Sequence, residues 1–513
     1  MTRETIGPEK GRDAGHDARR QAARGASSVA LSRLGNVIDI VSQPVYTWLF
    51  GLPTYGLYQV LWSLVNVGEN IFDLGTTSAL QRILPRETEP DVRAAVVRSA
   101  LLLGILPNAA VALAVSLAAP WIAPLINAAP EDLPRLVLGI RLFAWALPLW
   151  ATVEVATSAV RACHAFGPEV RLRLMWEQMA RLAAAVLFWL LGFAMIGLLM
   201  AHLVSLTITA IMALRLLHRY VPLGIVARVR APRAMLTDMA MSGLSALPSN
   251  ILARVFSDVA TIIANLLAPG AAGAKAAGLY AIARKISSVP QIVRQTFSYV
   301  LGPIAAAAAR GDRATIQGLY DFAVRLSLLL ALPTCAALIA AGPALLGLFK
   351  DADGALPILA ILTLSRGVEA AVGPASAIQQ VIGKRRLPVY NSLAALLFSA
   401  LVLFAAEPFV PGAAIALAVA TGQVVVVWLS IGQLQRQEGL RMFAPPFART
   451  LMIALAICAG IALVATVAGH FSLKLQGLAG FIAWAGLIWF GARLGLTPSD
   501  KAALGKAGRK LRL

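Results

Sequence analysis

The segment GAAIALAVATGQVVVVWLSIGQL, residues 412–434, decides how this chain must be read. It contains no ionisable side chain, and as a helix it is long enough to cross a hydrocarbon layer of roughly 30 Å. Its apolar positions do not alternate strictly with polar ones, so a helix accounts for it better than a strand. Comparable runs lie at 28–50, 56–80, 99–119, 136–160, 176–193, 197–217, 248–267 and 278–305. Others follow at 319–341, 355–382, 389–406, 451–468 and 477–490, which predicts about fourteen helices. The whole composition agrees: 513 residues, 58% hydrophobic, 14% charged and a mean hydropathy of +0.74. Soluble domains run at roughly 45–50% apolar and 25% charged. A soluble enzyme is excluded, and the expected fold is an all-α polytopic membrane protein.

Charge supplies the orientation. The chain carries 45 Lys and Arg against 25 Asp and Glu, a net +20. Alternate loops hold most of the excess, including Arg82, Arg86 and Arg93; Arg228, Arg230 and Arg233; and Lys384, Arg385 and Arg386. The intervening loops hold little beyond Arg135, Lys275, Lys350 and Lys474. Cytoplasmic loops attract such an excess, so both termini are expected in the cytoplasm of a bacterial cell, with the chain in the inner membrane. The charge needs no nucleic-acid partner, because no aromatic and basic recognition module accompanies it. Cys163, Cys335 and Cys458 are far apart, and the histidines share no ligand spacing, so neither a disulfide framework nor a metal site is indicated. No phosphate-cradling Gly-Lys-Ser/Thr loop is present, and no cofactor is expected.

Two short copies organise the chain. Gly56-Leu57-Tyr58 opens the second predicted span and Gly278-Leu279-Tyr280 the eighth, as two six-helix halves would require. The expected divisions are a basic arm at 1–27, an N-lobe at 28–217, a basic linker at 218–234 and a C-lobe at 235–434. Two accessory helices at 435–492 and a basic tail at 493–513 complete the chain.

Charges at membrane depth are costly, about 2.5–3.5 kcal/mol each on insertion scales, so they point to sites or to ion pairs. Arg254 with Asp258 and Arg366 with Glu369 are spaced to share helix faces and to neutralise one another. Arg181 with Glu177 and Arg325 with Asp321 have the same spacing nearer the cytoplasmic ends. The eighth span differs: Arg284, Lys285 and Arg294 have no carboxylate on their own helix, and Gln291 shares a face with Arg284. An unbalanced cationic face is suited to an anion. Arg33 adds a cation near the cytoplasmic end of the first span, with Asp39 about two turns deeper. Asp39, Asp258 and Glu369 are the candidate carboxylates for ion coupling.

These residues resemble the multidrug/oligosaccharidyl-lipid/polysaccharide flippase superfamily, and within it the Wzx-type polysaccharide flippases. The likeness is carried by Gly56-Leu57-Tyr58 with Leu74-Gly75-Thr76; by Gly278-Leu279-Tyr280 through Pro303; and by Gly383-Lys384, Asn391 and Gly412-Ala413-Ala414-Ile415-Ala416. Ser32-Arg33-Leu34-Gly35 is similar to the first-helix motif of the lipid II flippases, and Arg284 falls on their eighth-helix arginine. Ile38 stands where that family has a second arginine, and Glu69 and Asp73 occupy the second span, which favours a lipid-linked glycan other than lipid II. The resemblance implies a V-shaped pair of lobes that opens alternately to each side. It implies a polyprenyl-pyrophosphate-linked oligosaccharide as cargo, membrane lipids around it, and a glycan polymerase or glycosyltransferases of the same pathway as partners. Arg33, Arg254, Arg284, Lys285, Arg294 and Gln291 would line the cavity for the pyrophosphate, guanidinium forks suiting phosphate oxygens.

Two alternatives remain at the level of sequence. A cation-coupled multidrug antiporter of the same superfamily would share the fold, although cationic drugs prefer carboxylates and aromatic faces to a cationic helix. An integral-membrane glycan polymerase would need a large outer loop bearing catalytic residues, and the outer loops here are short. The orientation has a direct check: a fluorescent protein fused after Leu513 should fluoresce, whereas alkaline phosphatase at the same place should stay inactive.

Overall fold

The computed structural model describes residues 39, 41–73, 75–163, 165–291, 313–372, 375–376, 378–379, 386–441, 446–498 and 501. Among them every regular element is a helix, and nine helices are long and apolar enough to cross a membrane. The protein is a multi-pass, all-α membrane protein. Broad apolar surfaces, with Trp121, Phe404 and Phe471 more than 70% exposed, suit hydrocarbon rather than water.

The nine apolar helices overlap the expected spans at 99–119, 136–160, 197–217, 319–341, 355–382, 389–406, 412–434, 451–468 and 477–490, the fifth of these only as far as Val372. Those at 28–50, 56–80, 176–193, 248–267 and 278–305 are not among them. Helix Leu52–Phe72 carries Asn66, Glu69 and Asn70 and stops before Asp73, whose carboxylate accepts from the Thr76 and Thr77 hydroxyls. Gly75, at φ 66°, then turns the chain into helix Thr76–Ile83, so the single helix expected over 56–80 is broken. A five-residue π-type turn at Val255–Val259 interrupts the run at 248–267, and the run at 176–193 forms the 14-residue helix Glu177–Leu190, which follows a π-type turn at Leu172–Trp176. Helix Gly270–Ile286 covers the start of 278–305, whereas 292–312 and most of 28–50 lie outside the described residues.

The chain forms two compact units, one of residues 1–50, 64–126 and 130–251 and the other of residues 51–63, 127–129 and 252–513. In the first, Leu80, Val97, Val155, Val160 and Leu217 close a core between helices Thr76–Ile83, Pro90–Ile122, Ala146–Ala162 and Met195–His218. Pro90 starts the second of these at a position where its missing N–H costs nothing.

In the second unit, Val324, Leu328, Ala371, Val427 and Ile431 join helices Arg313–Ala340, Leu356–Val372 and Ala414–Glu438. Helices Pro446–Gly469 and Leu473–Gly495 pack on the first of these through Leu329, Ala454 and Ala492. Trp484 Nε1 donates to Thr334 Oγ1 at 3.0 Å there, and Gln476 Nε2 to the Ala340 carbonyl at 2.7 Å.

Two close contacts hold this unit's short segments. Asn127 and Asn265 exchange three hydrogen bonds of 2.8–3.0 Å, and Asn127 Oδ1 also accepts from the Gly270 N–H. Nearby, both copies of the Gly-Leu-Tyr motif meet: a Cβ on Gly278 would lie 3.3 Å from Gly56 Cα and 2.9 Å from the Leu52 carbonyl oxygen. A Cβ on Gly56 would collide with the backbone at Ala274. The glycines therefore let two helix backbones touch. Gly56→Val should destabilise the folded protein by about 1–3 kcal/mol through overpacking, read as a lower melting temperature in detergent, and Gly278→Val should do the same.

Candidate functional site

The polar centre of the second unit is built on Asp258. Its π-type turn, Val255–Val259, joins helices Arg233–Arg254 and Ala260–Leu266. Such turns add a residue to the helical ladder, re-aim a side chain, and recur at functional sites. Asp258 is 4% exposed. Its Oδ2 accepts from Arg254 Nη1 at 3.3 Å and from Ser257 Oγ at 2.9 Å, and its Oδ1 from Arg284 Nη1 at 3.2 Å. Arg284, in the last turn of helix Gly270–Ile286, also donates to the Ser257 carbonyl.

A third helix completes the group. Arg366, on helix Leu356–Val372, donates from Nη1 to the Arg284 carbonyl at 2.8 Å. One turn further, Glu369 Oε2 accepts from Gln291 Nε2 at 3.3 Å. Arg254, Arg284 and Arg366 thus gather with Asp258 and Glu369, and Lys285 follows Arg284 in the same helical turn. The guanidiniums are not sealed in, the Arg254 side chain being 37% exposed and that of Arg284 20%. Charge-assisted, fork-shaped donors with remaining access are suited to phosphate oxygens.

The structure thus brings Arg254, Asp258, Arg284, Lys285, Gln291 and Glu369 into one region of the second unit. Asp39 belongs to the first unit, where its Oδ1 accepts from Gln43 Nε2 at 2.9 Å. Arg33 and Arg294 lie outside the described residues. Two expectations change. Arg284 does have a carboxylate, supplied by the neighbouring helix, which helical spacing within its own segment does not reveal. Arg366 and Glu369 do not form a self-contained pair, since each also bonds to the eighth predicted span. Arg366 and Ser257 are members of the cluster that sequence reading did not assign to the site; the only signal for Arg366 was its spacing from Glu369.

The first unit has its own ion pairs. Arg173 holds Glu154 by two hydrogen bonds of 2.6 and 3.2 Å and lies 4.6 Å over the Trp150 ring. Arg161 pairs with Glu169 at 2.5 Å, and the Arg181 and Glu177 pair expected from sequence forms as well. Burial holds the Glu169 carboxyl above the usual carboxylate range, against the pull of Arg161 and Arg173. Each of these arginines has a carboxylate partner, so this network reads as architecture. Accordingly, Arg173→Ala should lower thermal stability by about 1–3 kcal/mol, as expected when a partly buried carboxylate loses its charged hydrogen-bond partner, an effect that circular dichroism melting would measure.

Comparison with known proteins follows the same lines. Residues 49–349 match a family described as "Polysaccharide biosynthesis protein". No curated protein matches the chain. Among solved structures, the fold is similar to that of the lipid II flippase MurJ in its inward closed conformation, with a TM-score of 0.70 and 11% identity over 91% of this chain and 99% of that one. It is also similar to an inward-facing multidrug resistance MATE family transporter of the MOP superfamily, with a TM-score of 0.65 and 16% identity over 80% and 95% of the two chains. An outward-facing MATE family transporter gives a TM-score of 0.55 and 16% identity over 81% and 97%. At such identities the structures speak for the fold and the matched family for kinship. With more than half of its length matched, the chain belongs to this polysaccharide biosynthesis family.

Proposed function

We propose that the protein moves a polyprenyl-pyrophosphate-linked oligosaccharide from the cytoplasmic to the outer leaflet of the bacterial inner membrane. The transfer proceeds by alternating access of two six-helix lobes, residues 28–217 and 235–434, within a fourteen-span chain. What carries this reading is the cationic excess around Asp258: two arginines share one buried carboxylate, and both keep access to a ligand. A pyrophosphate can replace Asp258 as the partner of Arg284, with Arg254 and Lys285 beside it and Gln291 reaching polar groups of the glycan. Arg33 and Arg294, which lie outside the described residues, are proposed from the sequence as further contacts for the pyrophosphate. The polyprenyl tail stays in lipid, so only the headgroup needs a polar path.

Membership of a polysaccharide biosynthesis family supports this cargo class. Inside-negative potential favours outward movement of an anion by about 2.3 kcal/mol per charge per 100 mV, which requires no nucleotide hydrolysis. Asp39, Asp258 and Glu369 are the carboxylates proposed for coupling to a cation. A second reading, multidrug antiport, draws on the MATE-like fold and on the same carboxylates.

Mass spectrometry of lipid-linked sugars separates the two readings. Cells depleted of the protein should accumulate one defined oligosaccharide on polyprenyl pyrophosphate; a normal lipid profile with altered drug tolerance would favour antiport. Arg284→Ala should reduce glycan export about 10- to 100-fold, as loss of a charge-assisted contact predicts, while membrane insertion is unchanged. Arg284→Lys should restore little, because a point charge lacks the fork. Arg325→Ala should leave export near the unaltered level.

A further inference from the structure

A different site lies in the first unit, at the ends of two membrane-spanning helices. A cavity of about 490 Å³ opens between the start of helix Pro90–Ile122, the end of helix Met195–His218 and the short helix Leu223–Arg228. That volume lies within the roughly 300–1,000 Å³ of small-ligand sites. Arg98 donates to the Val226 carbonyl at 3.1 Å and to the Ala227 carbonyl, and the Val226 side chain is buried in the unit's core, so the short helix is fastened to helix Pro90–Ile122. The same bond sets the height of the cavity. Helix Pro90–Ile122 has 33 residues, about 50 Å of rise against a hydrocarbon layer of roughly 30 Å. Its uncharged run begins at Ser99, directly after Arg98, so the turns that carry Asp91 and Arg98 stand at the level of lipid headgroups.

The lining offers both signs of charge. Asp91, His218 and Arg228 supply its polar ends, and Pro222, Ile225 and Val229 its apolar walls. Asp91 and Arg228 are exposed, and neither has an ion-pair partner among the described residues. His218 Nδ1 accepts from the Leu223 N–H at 3.0 Å, which puts the ring proton on Nε2 and makes that nitrogen a donor. A guanidinium and an imidazole N–H suit phosphate oxygens, and a carboxylate suits a primary ammonium. A simple anion would be repelled by Asp91 and a simple cation by Arg228, whereas a zwitterion with a phosphate and an ammonium satisfies both. Gly224 keeps the space open: a Cβ there would meet no atom within 4 Å. Glycine is a poor helix former, and no close packing requires it at this position, so room in the cavity is what it supplies.

We propose that this cavity binds a phosphoethanolamine group, carried either by a membrane phospholipid or by soluble glycerophosphoethanolamine. Arg228 and His218 hold the phosphate, Asp91 holds the ammonium, and Pro222, Ile225 and Val229 border the glycerol. Residues 218–228 open the linker expected between the lobes, so the occupant fastens the start of that linker to helix Pro90–Ile122. The site stands apart from the Asp258 cluster and from whatever the protein carries.

The test uses the full chain in detergent, titrated with dihexanoyl phosphatidylethanolamine, phosphatidylglycerol or phosphatidylcholine, and with glycerophosphoethanolamine as the soluble probe. The melting temperature is read against each variant's own ligand-free value. Phosphatidylethanolamine should raise it more than the other two lipids do. Gly224→Leu, which fills the cavity without a clash, should abolish that difference while the ligand-free melting temperature stays near that of the unaltered protein. Arg228→Gln should weaken the apparent affinity for phosphatidylethanolamine about 10-fold, as loss of one charge-assisted hydrogen bond predicts, and Asp91→Asn should erase its preference over phosphatidylglycerol. An equal shift with glycerophosphoethanolamine identifies a soluble occupant, and a shift that needs acyl chains identifies the membrane lipid. Equal responses to all three lipids, or an unchanged response in Gly224→Leu and Arg228→Gln, overturn the proposal. Because no cargo is present, failure of the flippase reading would leave this result untouched.

Discussion

A charge placed inside a bundle made to face hydrocarbon must be met by an opposite charge or by well-directed polar groups, since lipid offers neither. In the second unit Asp258 does this for Arg254 and Arg284 together. The widened turn at Val255–Val259 aims the carboxylate, helix Gly270–Ile286 ends where Arg284 can reach it, and Arg366 fastens the Arg284 backbone from a third helix. If Asp258 were removed, two guanidiniums would be left without their shared counter-charge.

The membrane-spanning character and the extent of the apolar helices are legible in the sequence, because a long uncharged run has few other solutions. The segments that resist such reading are the ones that carry chemistry. Polar residues at Asn66, Glu69 and Asp73, and the π-type turns before Glu177 and at Asp258, break the regular period on which helix recognition depends. The Arg254 and Asp258 pair is visible from spacing, since both residues lie on adjoining turns. The bond from Arg284 to Asp258 is not, because no periodicity reports which face of one helix meets another. The Gly-Leu-Tyr copies are a different case: as sequence they indicate only a repeat, whereas in the fold Gly56 and Gly278 lie against each other.

Kinship and geometry contribute different parts of the account. The family match places the chain among polysaccharide biosynthesis proteins, and the solved structures show a fold similar to that of MurJ and of the MATE family proteins. Neither names a cargo. The surplus of guanidinium groups over carboxylates in the second unit gives the reading its chemical direction, toward an anionic headgroup.

The bonds between Asn127 and Asn265 join neutral amides, with no charge on either partner. Ion pairs weaken as salt rises and vanish when one partner is titrated, but an amide clasp is largely indifferent to both. A fastening of this chemistry keeps the same strength in dilute water and in brine, so the mechanical set-point of that part of the molecule is insulated from the weather of its surroundings.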